Sequence, residues 1–154
     1  MSNFSIPSEA AHWILPARVL LSSPFLYSGI DKCWRWSAAQ REVAASGLPW
    51  PTLLHLVTVV VQLGGALSIL LGIEARLGAL LLLLFLVPVT VMYHPFWKRS
   101  GGDFVVEADH FLSNLAIMGG LLMIVALGGG PISPIDHSFA QLLSCVATTL
   151  GMAR

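Results

Sequence analysis

Residues 53–72 read LLHLVTVVVQLGGALSILLG and residues 77–93 read LGALLLLLFLVPVTVMY, with only Ile73-Glu74-Ala75-Arg76 between them. A helix needs roughly 20 mainly apolar residues to cross a hydrocarbon core about 30 Å thick. Neither stretch carries a charge and both approach that length. The pair therefore reads as two membrane-spanning helices folded back on each other through a tight turn. Working outward, residues 13–30 and 111–129 form two more apolar stretches. Lipid offers a backbone no hydrogen-bond partners, and a helix supplies its own. The predicted fold is all-α: residues 1–154 as a single integral membrane four-helix bundle, with helices at about 13–30, 53–72, 77–93 and 111–129.

Composition points the same way. The chain is 56% hydrophobic and only 10% charged, with a mean hydropathy of +0.80, whereas a soluble domain is about 25% charged. So few charges cannot cover a water-facing surface, so the expected solvent is the lipid bilayer. Eight basic and eight acidic residues cancel, which argues against a nucleic-acid partner. Cys33 and Cys145 are far apart and no Cys-x-x-Cys occurs. That excludes electron transfer through a vicinal thiol pair. The first residues lack a basic segment and a small-residue cleavage site, so the first helix is expected to direct insertion itself.

Pro16 suits the first turn of its helix, while Pro24 and Pro88 fall inside helices and are expected to kink them. Gly128-Gly129-Gly130-Pro131 stops the fourth helix. Two long connections remain, 31–52 and 94–110. The first has room for a short interfacial helix over Ala38–Ala45, after which Leu48-Pro49-Trp50-Pro51 predicts an extended turn. The apolar run Phe139–Met152 is too short to span, so the tail 137–154 is expected to be interfacial or weakly ordered.

Four spans place both termini on one side and both long connections on the other, the loop face. That face carries Lys32, Arg35, Arg41, Lys98 and Arg99, against Arg18, Arg76 and Arg154 on the terminal face. The positive-inside rule then makes loops 31–52 and 94–110 cytoplasmic in a multi-pass inner-membrane protein. Trp34, Trp36, Trp50 and Trp97 weight the interfacial aromatic belt to the same face, with Trp13 on the other.

Within the second helix, Gly64, Ser68 and Gly72 form a small-residue stripe suited to close helix approach. A second stripe, His55, Thr58, Gln62 and Gly65, should face the bundle interior, since polar groups are costly against lipid. Gln62 there serves either an interhelical hydrogen bond or a ligand. Leu82, in an all-apolar run, reads as lipid-facing. Antiparallel threading brings Asp31, Lys32, His55, His94, Asp109, His110 and Asn114 to the loop face, with Gln62 below them. Of these, Lys32, His55, Gln62, His94, His110 and Asn114 are the candidate binding residues of a loop-face pocket. Arg18, Asp31 and Arg76 read as structural charges, and Arg18 either snorkels to headgroups or pairs with Glu74. His94, Asp109 and His110, with Glu107 or Asp103, are the candidate metal ligands, but their spacing matches no ligand motif. A bis-histidine haem would need rings deeper in the bundle. No cofactor motif is evident.

Several motifs resemble the DoxX family of small bacterial membrane proteins, in the same order over about 120 residues. They are Ala17-Arg18, Ser28-Gly29-Ile30-Asp31-Lys32, Gly47-Leu48-Pro49-Trp50-Pro51, Gln62-Leu63-Gly64-Gly65 with Gly72 and Arg76, His94-Pro95-Phe96-Trp97, and Phe111 to Ala116 with Gly119-Gly120. The resemblance implies a four-helix membrane protein associated with respiratory or redox complexes, as DoxX and DoxD proteins are with quinol oxidase and thiosulfate:quinone oxidoreductase systems. The family often has Glu where this chain has Gln62, and Lys where it has Ser113. The leading functional expectation is an accessory subunit of a membrane redox complex, holding a quinone or other small lipophile non-covalently. Its partners would be other redox-complex subunits or a second copy of the chain. The rival readings are a stand-alone membrane enzyme using the histidine and carboxylate cluster for acid–base or metal chemistry, and a small-molecule or lipid transporter. The lack of a visible inverted repeat weakens the transporter.

Overall fold

The computed structural model describes residues 8–130, with side chains from residue 12 onward; the predicted tail 137–154 lies outside the described residues. Within that range the chain is all-helical. Its elements are α1 (Ser8–Trp34), α2 (Trp36–Ala45), α3 (Pro51–Leu71), α4 (Ala75–Tyr93), a short 3-10 turn (Phe96–Lys98) and α5 (Gly101–Leu127). Three segments are long and apolar enough to cross a membrane: Pro51–Leu71, Ala75–Lys98 and Gly101–Leu127.

The hairpin read from residues 53–93 is present. Gly72 adopts the left-handed conformation (φ 71°) that closes α3, and the Ile73 N–H returns to the Ser68 carbonyl at 3.0 Å. The Ser68 hydroxyl donates to the carbonyls of Ile73 and Glu74 at 2.6 and 2.9 Å, tying the turn down. Helix α1 runs through Pro24. A proline cannot bond the carbonyl four residues back, which here belongs to Leu20, and the Ser23 hydroxyl takes that carbonyl instead at 2.9 Å. In the turn after Pro88, the Thr90 hydroxyl donates to the Leu86 carbonyl at 2.7 Å.

α3 packs along α1 on one side and α4 on the other, and α4 packs along α5, while α1 and α5 barely touch. The core joins Phe25, Ala66, Ile69, Ala79, Leu82, Leu86 and Leu121. Leu82 is therefore a core residue with no exposed surface, not a lipid-facing one. The all-apolar run around it offers no polar contrast to mark its inner face. The close approach of α3 to α4 uses Gly65 and Ser68 rather than Gly64. A Cβ on Gly65 would lie 2.7 Å from Leu82 Cγ and 3.1 Å from the Gly78 carbonyl oxygen, whereas one on Gly64 meets nothing within 4 Å.

Two connections differ from expectation. Trp50 sits in the left-handed region (φ 53°, ψ 57°) and not in an extended turn. The chain must reverse between α2 and Pro51, the first residue of α3, and Gly47 shares the reversal with φ 75°. In the second connection, α5 begins ten residues before the apolar stretch at 111. Phe96 of the 3-10 turn packs edge-on against Phe104 (5.8 Å) and Phe111 (5.1 Å), anchoring those extra turns. Asp103 in the first turn complements the helix dipole. Hydropathy alone does not register such a polar extension.

Candidate functional site

At the loop end of the bundle, α1, α2, α3, α4 and α5 enclose a cavity of about 390 Å³. Its walls are mainly apolar, including Phe25, Phe85, Leu86, Val89 and Ile117; its polar groups are Ser28, Lys32, Glu42, Thr58, Gln62, Tyr93, His94 and Asn114. Lys32, Gln62, His94 and Asn114, distant in sequence, thus share one space.

Each is held there by its element. Ser28 and Lys32 stand four apart on α1, so one lies above the other on the same face, and the Lys32 ammonium donates to the Ser28 hydroxyl at 2.5 Å. The Gln62 amide donates to the same hydroxyl at 3.2 Å across the α1–α3 interface. Gln62 is only 5% exposed, and its side-chain carbonyl oxygen is buried with no partner among the described residues. A buried polar atom left unpaired costs about 1–3 kcal/mol. Lys32 lies just beyond the apolar stretch ending at Ile30, and burial pushes its pKa below the ordinary lysine value, opposed by Asp31 and Glu42. His94, at the C-terminal end of α4, meets Glu107 of α5 through Nδ1 at 2.9 Å, which fixes its ring at the cavity wall.

Other candidates lie elsewhere. His55 is fully buried, edge-on to Trp36 with centroids 4.3 Å apart, at the α2–α3 contact and outside the cavity lining. His110 is exposed, its ring 5.1 Å from that of His94, and is not among the cavity's lining residues. Asp109 is exposed, and among the described residues no three His, Cys, Asp or Glu side chains group closely enough to hold a metal ion. Asp31 pairs with Arg35 at 2.5 Å, and that partner lowers its pKa. Arg76 is half-buried. Arg18 turns inward rather than snorkelling. It is 4% exposed, lies against Gly72, and donates to the Gly129 carbonyl.

Sequence reading missed Ser28 as the hinge of this network and Glu42 as a wall contributed by α2. The Ser28/Lys32 spacing on one helix face was the available signal for the first. For Glu42 there was none, because the docking of α2 over the cavity depends on tertiary packing.

The DoxX family model matches residues 13–95, more than half of the chain. Inner membrane protein YphA of Escherichia coli (strain K12) is 28% identical over 120 residues, covering 78% of this chain and 86% of the relative. Inner membrane protein YqjF of the same organism is 30% identical over 120 residues, covering 78% of this chain and 87% of the relative. No solved structure matches.

Proposed function

As the chain belongs to the DoxX family, we propose that this multi-pass inner-membrane protein is an accessory, quinone-binding subunit of a membrane redox complex. In this reading α1, α3, α4 and α5 all cross the bilayer as a four-helix bundle, α2 lies at the interface, and the loop-face cavity is the binding site. The observation that carries it is the buried, unpartnered Gln62 carbonyl oxygen in a largely apolar cavity that the Lys32 side chain also lines. Ligand pockets have this character: apolar walls with a few placed polar groups. A quinone ring suits the walls, and its two carbonyl oxygens accept hydrogen bonds from Lys32 and from the Asn114 amide. A quinol hydroxyl would in turn satisfy the Gln62 oxygen.

The test is quinone binding to the purified protein in lipid nanodiscs, read beside thermal melting, for wild type and for His94→Ala and Asn114→Ala. At least one variant should lose about tenfold or more in affinity, equivalent to one hydrogen bond of about 1.4 kcal/mol, with its melting temperature within a few degrees of wild type. If every variant that loses binding also unfolds, the cluster is scaffold and the site assignment fails.

A further inference from the structure

A second cavity, of about 690 Å³, opens along the seam where α1 and α5 barely touch. It runs along α5 from Ala116 and Ile117 to the Gly128–Gly130 end, opposite Ile14, Ala17 and Leu21 of α1. At 1.5 Å per residue, Ile117 to Gly128 is roughly 16 Å, the dimension of a chain and not of a ring. Ile117 lines this seam and also the loop-face cavity, so the two spaces adjoin at one side chain. Residues on the open wall, such as Leu20, Met123 and Leu127, are exposed and apolar, so the seam faces lipid wherever α1 and α5 cross the bilayer.

We infer that the ligand is an isoprenoid-tailed quinone whose head sits in the loop-face cavity and whose tail passes Ile117 and leaves for the bilayer through the α1–α5 seam. This rests on the proposed quinone site and adds the class of ligand and its route. The shared wall at Ile117 selects the occupant: a tail attached to a head already in the neighbouring cavity enters the seam without a second binding event. The seam adds little affinity, since a tail loses nothing by lying in lipid instead. Its role is steric, giving the tail an exit that lets the head seat.

The experiment compares a tail-less benzoquinone with a long-tailed one, in nanodiscs, for wild type and three variants. Ala116→Phe adds volume on an exposed wall of the seam. Gly120→Leu narrows the seam, its Cβ lying 3.1 Å from Leu21 Cδ1. Gly119→Leu is the control, since its Cβ meets nothing within 4 Å and the residue is not part of the seam. Wild type and Gly119→Leu should bind both quinones. Ala116→Phe and Gly120→Leu should lose about tenfold or more for the long-tailed quinone alone, the scale of an overpacked site. Unchanged long-tail binding in a correctly folded Ala116→Phe variant overturns the inference and leaves the head site standing. If wild type binds neither quinone, the proposed function fails and the tail route with it.

Discussion

Gln62 holds its amide donor on Ser28 and leaves its oxygen buried and unpartnered, so two opposing effects meet in one side chain. Gln62→Leu removes an interhelical hydrogen bond, worth about 0.6 kcal/mol on average in a membrane bundle. It also removes an unpaired buried oxygen whose burial costs about 1–3 kcal/mol. The variant should melt within a few degrees of wild type, or above it, while losing affinity for the quinol, the form whose hydroxyl donates to the Gln62 oxygen. A clear drop in melting temperature would instead make Gln62 a structural clamp. Its polar stripe was legible in the sequence because one amide in an apolar helix has few stable places to point. Leu82 was not legible, because its neighbours are all apolar and only the fit against Gly65 selects its direction. Gly65→Leu should therefore be the most damaging of three changes, since its new side chain meets the Gly78 backbone as well as Leu82. Leu82→Ala should cost about 2–5 kcal/mol as a core truncation, and Gly64→Leu almost nothing. Melting curves in detergent rank them; a harmless Leu82→Ala would remove Leu82 from the core.

At the scale of elements, apolar length placed α3 and α4 to within about two residues, because a lipid-buried helix and its glycine cap leave a direct trace in the sequence. Elements outside the hydrocarbon were harder to read. The start of α5 depends on aromatic contacts between Phe96, Phe104 and Phe111. The reversal at Trp50 depends on where α2 docks, with a ring contact from Trp36 to His55 and a hydrogen bond from Gln40 to Thr52. The opposite end has its own clasp. Arg18 of α1 reaches the Gly72 turn and the Gly129 carbonyl beyond α5, joining three elements. Gly72→Ala should damage that clasp twice. It forces an L side chain into the left-handed region, at about 1–2 kcal/mol, and it sets a methyl group against the guanidinium. The expected result is a lower melting temperature than for Gly47→Ala, where φ is equally positive but the space is open. Equal losses in both would show that Arg18 does not bear on the turn.

For the molecule as a whole, the deciding question is whether α1 crosses the membrane, since three spans put the termini on opposite sides and four put them on the same side. The average hydropathy of α1 is held down by Arg18, Ser22, Ser23 and Ser28, which is why length and composition alone select three segments among the described residues, without α1. Burial gives that average a different meaning. Arg18 and Ser22 are buried, and the Ser22 hydroxyl bonds back to the Arg18 carbonyl at 2.7 Å. The outward residues Trp13, Leu15, Val19, Leu20, Tyr27 and Ile30 are apolar or interfacial in type and exposed. A helix with that surface, packed along α3, is expected to cross with the other three. Burial also alters the charge count. Arg18, enclosed and bonded to a carbonyl, no longer counts as a loop charge, which leaves Arg76 and Arg154 against the five basic residues of the loop face and strengthens a cytoplasmic loop face. Reporter fusions after Arg154 and between Lys98 and Gly101 should therefore give opposite signals, with the cytoplasmic signal at the latter. A fusion at the amino terminus should match the one after Arg154. If the amino-terminal and carboxy-terminal reporters disagree, α1 does not cross, and the cavity between α1, α3, α4 and α5 is not a site inside a four-helix membrane bundle.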